Sequence, residues 1–198
     1  MDYQALPGIS LPATTDLIHV EQRPQRPLTL KSPAVDVLTD LRIIDPISIT
    51  DDTLLEEAHA RMVSHGIRLL FVTDARGAFS GLLTASDVLG ERPMKCIQDS
   101  GKQRKELLVA DVMTPRNHLE ALNMEDVAHA CVGHIVATLK DHGRQHALVV
   151  EKNEASGHLE VCGLFSTSTI ARRLGISLNF LRVPRAFSEI EHALLHES

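Results

Sequence analysis

The chain has 198 residues, 43% of them hydrophobic, enough to build a substantial core in one large domain or two small ones. Its 26 acidic and 20 basic residues leave a formal net charge of -6, which excludes a non-specific nucleic-acid binder, because that role needs clustered cations to displace counterions. No apolar run approaches the roughly 18 residues of a membrane span, and Cys96, Cys131 and Cys162 show no C-x-x-C pairing and read as reduced thiols of a cytoplasmic protein.

Residues 1–33 are rich in proline and polar side chains and read as an arm or tail. The opening "MDYQALPGIS" has no basic stretch followed by an apolar one, so no secretory signal is expected. Residues 34–105 form a first unit. "DVLTD" (Asp36 to Asp40) opens it, and a short strand at Ile47 to Ile49 follows. A helix is expected from Thr53, where "TLLE" is a capping-box pattern and Leu54, Ala58, Met62 and Val63 recur at helical spacing. Gly66 suits the helix end. The apolar strand "LLFVTD", a turn, a second strand running into "GLLTASD" (Gly81 to Asp87) and a closing helix carrying "DVLG" complete the unit. The basic stretch Lys95 to Lys105 reads as a solvated linker, with contact to a ligand phosphate as the other option.

Residues 106–176 repeat this order. "DVMTP" (Asp111 to Pro115) lies 75 positions after "DVLTD". "HGRQHALVVE" (His142 to Glu151) lies 77 after "HGIRLLFVTD", and "GLFSTST" (Gly163 to Thr169) lies 82 after "GLLTASD". The second unit has its first strand at Leu119 to Leu122, a helix with Ile135 and Leu139 ending at Gly143, and a longer hairpin between Glu151 and Gly163. The pattern is β-α-β-β-α, twice. One copy of about 60 residues buries too little surface to be secure alone, so the two are expected to pack face to face. Residues 177–198 read as an amphipathic helix, with a capping box from Ser188 to Glu191 and an apolar stripe of Phe187, Ile190 and Leu194.

The repeated motif carries chemistry. Thr84 falls at a helix N-cap and Asp87 on the first turn, three residues on. One reading is a structural capping box. The other uses the same atoms: a helix N-terminus attracts phosphate, and a carboxylate beside it accepts bonds from two vicinal hydroxyls such as those of ribose. Gly81, having no Cβ, leaves room for a ligand against the backbone. The second copy has Ser166 in place of Thr84 but Thr169 in place of Asp87, so it keeps the cap and loses the acid.

Paired "G-h-h-[TS]-x-x-D" motifs (h apolar), each preceded by "D-V-M-T-P" and a central "H-G-x-x-x-h-h-V", resemble tandem CBS domains over roughly residues 34–175. The resemblance implies an α/β fold: two pseudo-twofold-related β-α-β-β-α repeats with small mixed sheets packed against helices. It also implies a stand-alone regulatory module, not an enzyme. Such a module binds an adenosine-containing ligand (AMP, ADP, ATP or S-adenosylmethionine) between the repeats, forms a homodimer and signals to an unknown effector protein, with no catalytic cofactor. Carried over by position, the first copy supplies Thr39, Leu69, Leu70, Thr84 and Asp87, and the second supplies Thr114, Ala147 and Ser166. Thr169 departs from the pattern. "DVLTD" departs too, lacking the proline of "DVMTP", which bears on the mouth of the first pocket. The alternative reading is a structural dimerisation scaffold with vestigial sites.

Eleven histidines are many for this length. His192 and His196, four apart, suit either a surface zinc site or a solvated helix face, and the face is the simpler reading. His65 and His142 occupy equivalent places at helix ends, where imidazole interacts with the terminal carbonyls. Arg92, Arg172 and Arg173 follow the two motifs, where a ligand phosphate would emerge. No metal site and no catalytic constellation is assigned.

Overall fold

The computed structural model of the chain describes residues 28–176. Most of the 1–33 arm, and the capping box, apolar stripe and histidine pair expected within 177–198, lie outside the described residues.

The first copy contains β1 (Thr39–Asp40), β2 (Ser48–Thr50), α1 (Leu55–His65), β3 (Leu69–Thr73), β4 (Phe79–Thr84) and α2 (Ala85–Leu89). Then come α3 (Arg92–Ser100) and α4 (Val109–Val112). The second copy contains β5 (Thr114–Pro115), β6 (Ala121–Asn123), α5 (Met124–His129), α6 (Val132–Asp141), β7 (His146–Lys152), β8 (Leu159–Ser166) and α7 (Thr167–Leu174).

Two expectations about elements are corrected. The helix expected from Thr53 starts at Leu55, without a side-chain cap. The Leu55 N–H donates to the Leu107 carbonyl at 2.8 Å, and Leu54 is bridged to Leu108. That pairing holds Leu54 extended, while the Thr53 hydroxyl lies 2.9 Å from that of Thr50. The buried stripe is therefore Leu55, Ala58 and Met62, and Leu54 and Val63 face outward. The stretch read as a linker is helical through Ser100, and Gly101 ends it at φ 70. Pro93 in its first turn costs no hydrogen bond, because that N–H has no helical partner anyway.

The helix ends behave as read. Gly66 takes a left-handed conformation, φ 62 and ψ 29, that closes α1. The Nδ1 of His65 donates to the Arg61 carbonyl at 3.0 Å, and that of His142 to Thr138 at 2.9 Å.

Each sheet has four strands, in the orders β2-β3-β4-β5 and β1-β8-β7-β6. The copies have exchanged their opening strands. Thr39 and Asp40 pair antiparallel with Leu164 and Gly163, and Thr114 and Pro115 pair with Leu82 and Gly81. The preceding turns follow their strands: Ala34 and Val37 lie in the core of the second copy, Val109 and Val112 in that of the first. Gly81 is what admits β5, since a Cβ there would collide with the Thr114 carbonyl. The space read as room for a ligand is filled by backbone. Between the sheets a third cluster of Leu69, Phe71, Leu82 and Leu148 joins the copies face to face.

Candidate functional site

The loop-free step from β4 into α2 fixes the first two site residues. Thr84 is extended at φ -106 and ψ 159, and its hydroxyl accepts the Asp87 N–H at 3.3 Å. One oxygen of Asp87, Oδ2, accepts both the Thr84 N–H at 2.8 Å and the Thr84 hydroxyl at 2.6 Å. The capping box is thus complete. The other oxygen, Oδ1, pairs with Nη1 of Arg92 at 3.1 Å. The same guanidinium nitrogen donates to the Thr114 hydroxyl at 2.9 Å and to the Val112 carbonyl at 3.1 Å.

Thr84, Asp87, Arg92 and Thr114 line a cleft of about 860 Å³, within the range of small-molecule sites. Its apolar wall comes from the contact between the sheets, with Leu69, Leu82, Leu119 and Leu148. Helix α3 contributes a flank through Lys95, Cys96 and Asp99, and the second copy closes the far side with residues from Gly143 to His146. Burial pushes the His146 imidazole down to about 4, Arg68 acting in the same direction against a weaker pull from Asp87. It is therefore a neutral ring at physiological pH.

Of the residues expected at the site, Leu69, Thr84, Asp87 and Thr114 are brought together here. Leu70 is not among them: next to Leu69 on the strand, it points to the opposite face and is fully buried in the helix-side core. Ala147 lines a smaller cavity of about 170 Å³, and Thr39 and Ser166 lie outside the large cleft. Thr39, grouped by position with Thr84, sits on the other sheet opposite Leu164. Ser166 is buried; its hydroxyl accepts the Thr169 N–H at 3.2 Å and donates to the Thr169 hydroxyl at 2.9 Å. The proline-bearing "DVMTP" strand therefore serves the cleft with the intact acid. Asp40, which stands where the other strand has Pro115, lies with Thr169 in the second half and is held by Arg42 at 2.8 Å. His146 and the bridging role of Arg92 escaped the sequence reading. The signal for His146 was its equivalence to Leu69 in the repeat.

Among the described residues no group of three or more His, Cys, Asp or Glu side chains could hold a metal ion, and no helix is long and apolar enough to cross a membrane.

Comparison with known proteins identifies the first copy and shows solved structures of similar fold. The family model described as "CBS domain" matches residues 36–93. The first copy is a CBS domain. The second copy repeats the same β-α-β-β-α order and sheet topology. An uncharacterized conserved protein from Pyrococcus horikoshii is similar in structure, with a TM-score of 0.52 at 20% identity, covering 73% of this chain and 93% of its own. A CBS-domain containing protein from Agrobacterium tumefaciens has a TM-score of 0.51 at 17% identity, covering 79% of this chain and 98% of its own. CBSX2, solved in complex with AMP, has a TM-score of 0.49 at 19% identity over 71% of this chain and 94% of its own. No curated protein matches the chain.

Proposed function

We propose that this chain is a CBS-domain pair acting as a regulatory module, not an enzyme, that binds an adenosine-containing ligand in the large cleft and passes its occupancy to an effector protein. One observation carries the reading: a single cleft gathers an apolar wall, a carboxylate and a hydroxyl pair from the repeated motifs, and a cationic edge from the helix that follows. Adenine is flat and apolar-faced and suits the leucines between the sheets. Ribose suits Asp87 and Thr84, and a phosphate suits the edge where Arg92 and Lys95 stand. A ligand bound between two packed copies shifts their arrangement by as much as it prefers one arrangement to the other.

Calorimetry with AMP, ADP, ATP and S-adenosylmethionine tests this, together with mass spectrometry of small molecules that co-purify. Asp87→Ala is expected to weaken the best ligand at least about tenfold, since hydrogen bonds to a charged group contribute roughly 1.5–3 kcal/mol. Unchanged affinity removes Asp87 from the site. Absence of binding by all four ligands favours the alternative, a structural scaffold, which the complete internal bonding of Asp87 supports. Either reading includes a homodimer. Light scattering at micromolar concentration should then report twice the chain mass of 21.8 kDa, and the single-chain mass would contradict it.

A further inference from the structure

The charged side chains of the cleft are unequally committed. Three lysine or arginine residues line it: Arg92, Lys95 and Arg144. Arg144 is bound to Glu120 at 2.9 Å and Arg92 to Asp87 at 3.1 Å, while Lys95 has no carboxylate partner among the described residues. The two members of the Arg92–Asp87 pair differ in freedom. The Asp87 side chain is 13% exposed and tied to Thr84 through its other oxygen. The Arg92 side chain is 50% exposed and reaches in from the first turn of α3. Such a half-exposed pair is weak, so the guanidinium is the partner that leaves. The atom it holds, Oδ1 of Asp87, is also the one not engaged by the capping box, and so the one a ribose hydroxyl needs.

Resting on the adenosine reading above, we propose that Arg92 selects for a phosphorylated nucleoside by exchanging Asp87 for the ligand's phosphate. A nucleoside monophosphate offers the guanidinium a doubly charged, forked acceptor beside the uncommitted Lys95, and guanidinium matches phosphate geometry well. The exchange uncovers Oδ1 for the ribose in the same event. An unphosphorylated nucleoside must break the ion pair and offers Arg92 nothing. A ligand with a positive sulfonium beside its ribose is worse placed still. Phosphate and ribose recognition are thereby coupled through one side chain, and that side chain begins α3, which flanks the cleft.

The test is calorimetry of the full chain with AMP and with adenosine. Wild type is expected to prefer AMP by at least tenfold. In Arg92→Gln the AMP affinity should fall at least tenfold while adenosine affinity rises, because Asp87 no longer has a partner to give up, so the preference collapses. Lys95→Gln should weaken AMP alone. If Arg92→Gln melts below the assay temperature, Arg92→Lys carries the test: it keeps the charge without the fork, and the preference should fall several-fold. A preference for AMP that persists unchanged in a folded Arg92 variant overturns the exchange while leaving the adenosine site standing. A wild-type chain that binds neither AMP nor adenosine overturns the exchange, and one that binds none of AMP, ADP, ATP and S-adenosylmethionine overturns the adenosine reading on which it rests.

Discussion

At the scale of single residues, His146 shows how a repeat diverges within one architecture. It stands where the first copy has Leu69, at the same register, opposite Ser166 as Leu69 is opposite Thr84. Burial lowers its pKa to about 4 from 6.5. The unfolded chain therefore takes up a proton below pH 6.5 that the folded chain refuses until about pH 4. Stability is full above pH 6.5, falls as pH drops across that window, and levels off below it. His146→Leu, importing the first copy's residue, should remove this dependence. Urea unfolding at pH 7 and pH 5 should show the variant losing roughly 1–2 kcal/mol less than wild type on acidification. Equal losses would mean that His146 is accessible enough to protonate in the folded state.

At the scale of elements, the exchanged strands assemble the site. β5 brings Thr114 to the cleft of the first copy, and Gly81 is the position that lets it approach. The equivalent Gly163 faces a softer neighbour, since its added Cβ would meet the Leu38 side chain at 2.7 Å. A terminal methyl group can rotate aside, whereas a strand carbonyl cannot. Gly81→Ala is expected to cost about 1–3 kcal/mol by overpacking and to weaken ligand binding by displacing Thr114. Gly163→Ala should cost less. Chemical denaturation of the two variants orders them, and equal cost would argue that β5 is free to shift. The repeated motifs were legible in sequence because each carries its own local signal, a strand followed by a capped helix. The partner of each strand was not legible. Two residues of strand have no preference for one sheet edge over another until the copies are packed, so Thr39 was grouped with the wrong half.

At the scale of the molecule, the exchange sorts intact from altered motif pieces. Thr84, Asp87, Thr114 and Pro115 meet in one cleft, while Asp40 and Thr169 fall to the other half. One ligand per chain is therefore expected, and calorimetry should report a stoichiometry near one. Thr169→Asp tests whether the missing acid alone accounts for this. An aspartate there can accept the Ser166 N–H and complete a second capping box, as Asp87 does for Thr84. The expected result is a gain of about 0.3–1 kcal/mol, read as a melting temperature higher by roughly 1–4 °C. The stoichiometry should not change, because Ser166 is buried and the Thr39 strand lies outside the cleft. A second strong site in the variant would contradict this.

The amino-acid sequence by itself determined the duplication, the α/β class, the helix-ending glycines and the pairing of Thr84 with Asp87. Each of these is decided within a few residues, by hydrogen bonds and backbone conformations that neighbours along the chain provide. Only the tertiary structure decided that Thr114 rather than Thr39 completes the cleft. It alone showed that Leu70 faces the core, that Arg92 holds the free oxygen of Asp87, and that His146 stands half-buried in the cleft wall. Those facts depend on which sheet edge a two-residue strand joins and on which surfaces meet between the copies. Packing between residues as far apart in the chain as Thr39 and Leu164 sets both, and local sequence pattern carries no record of it.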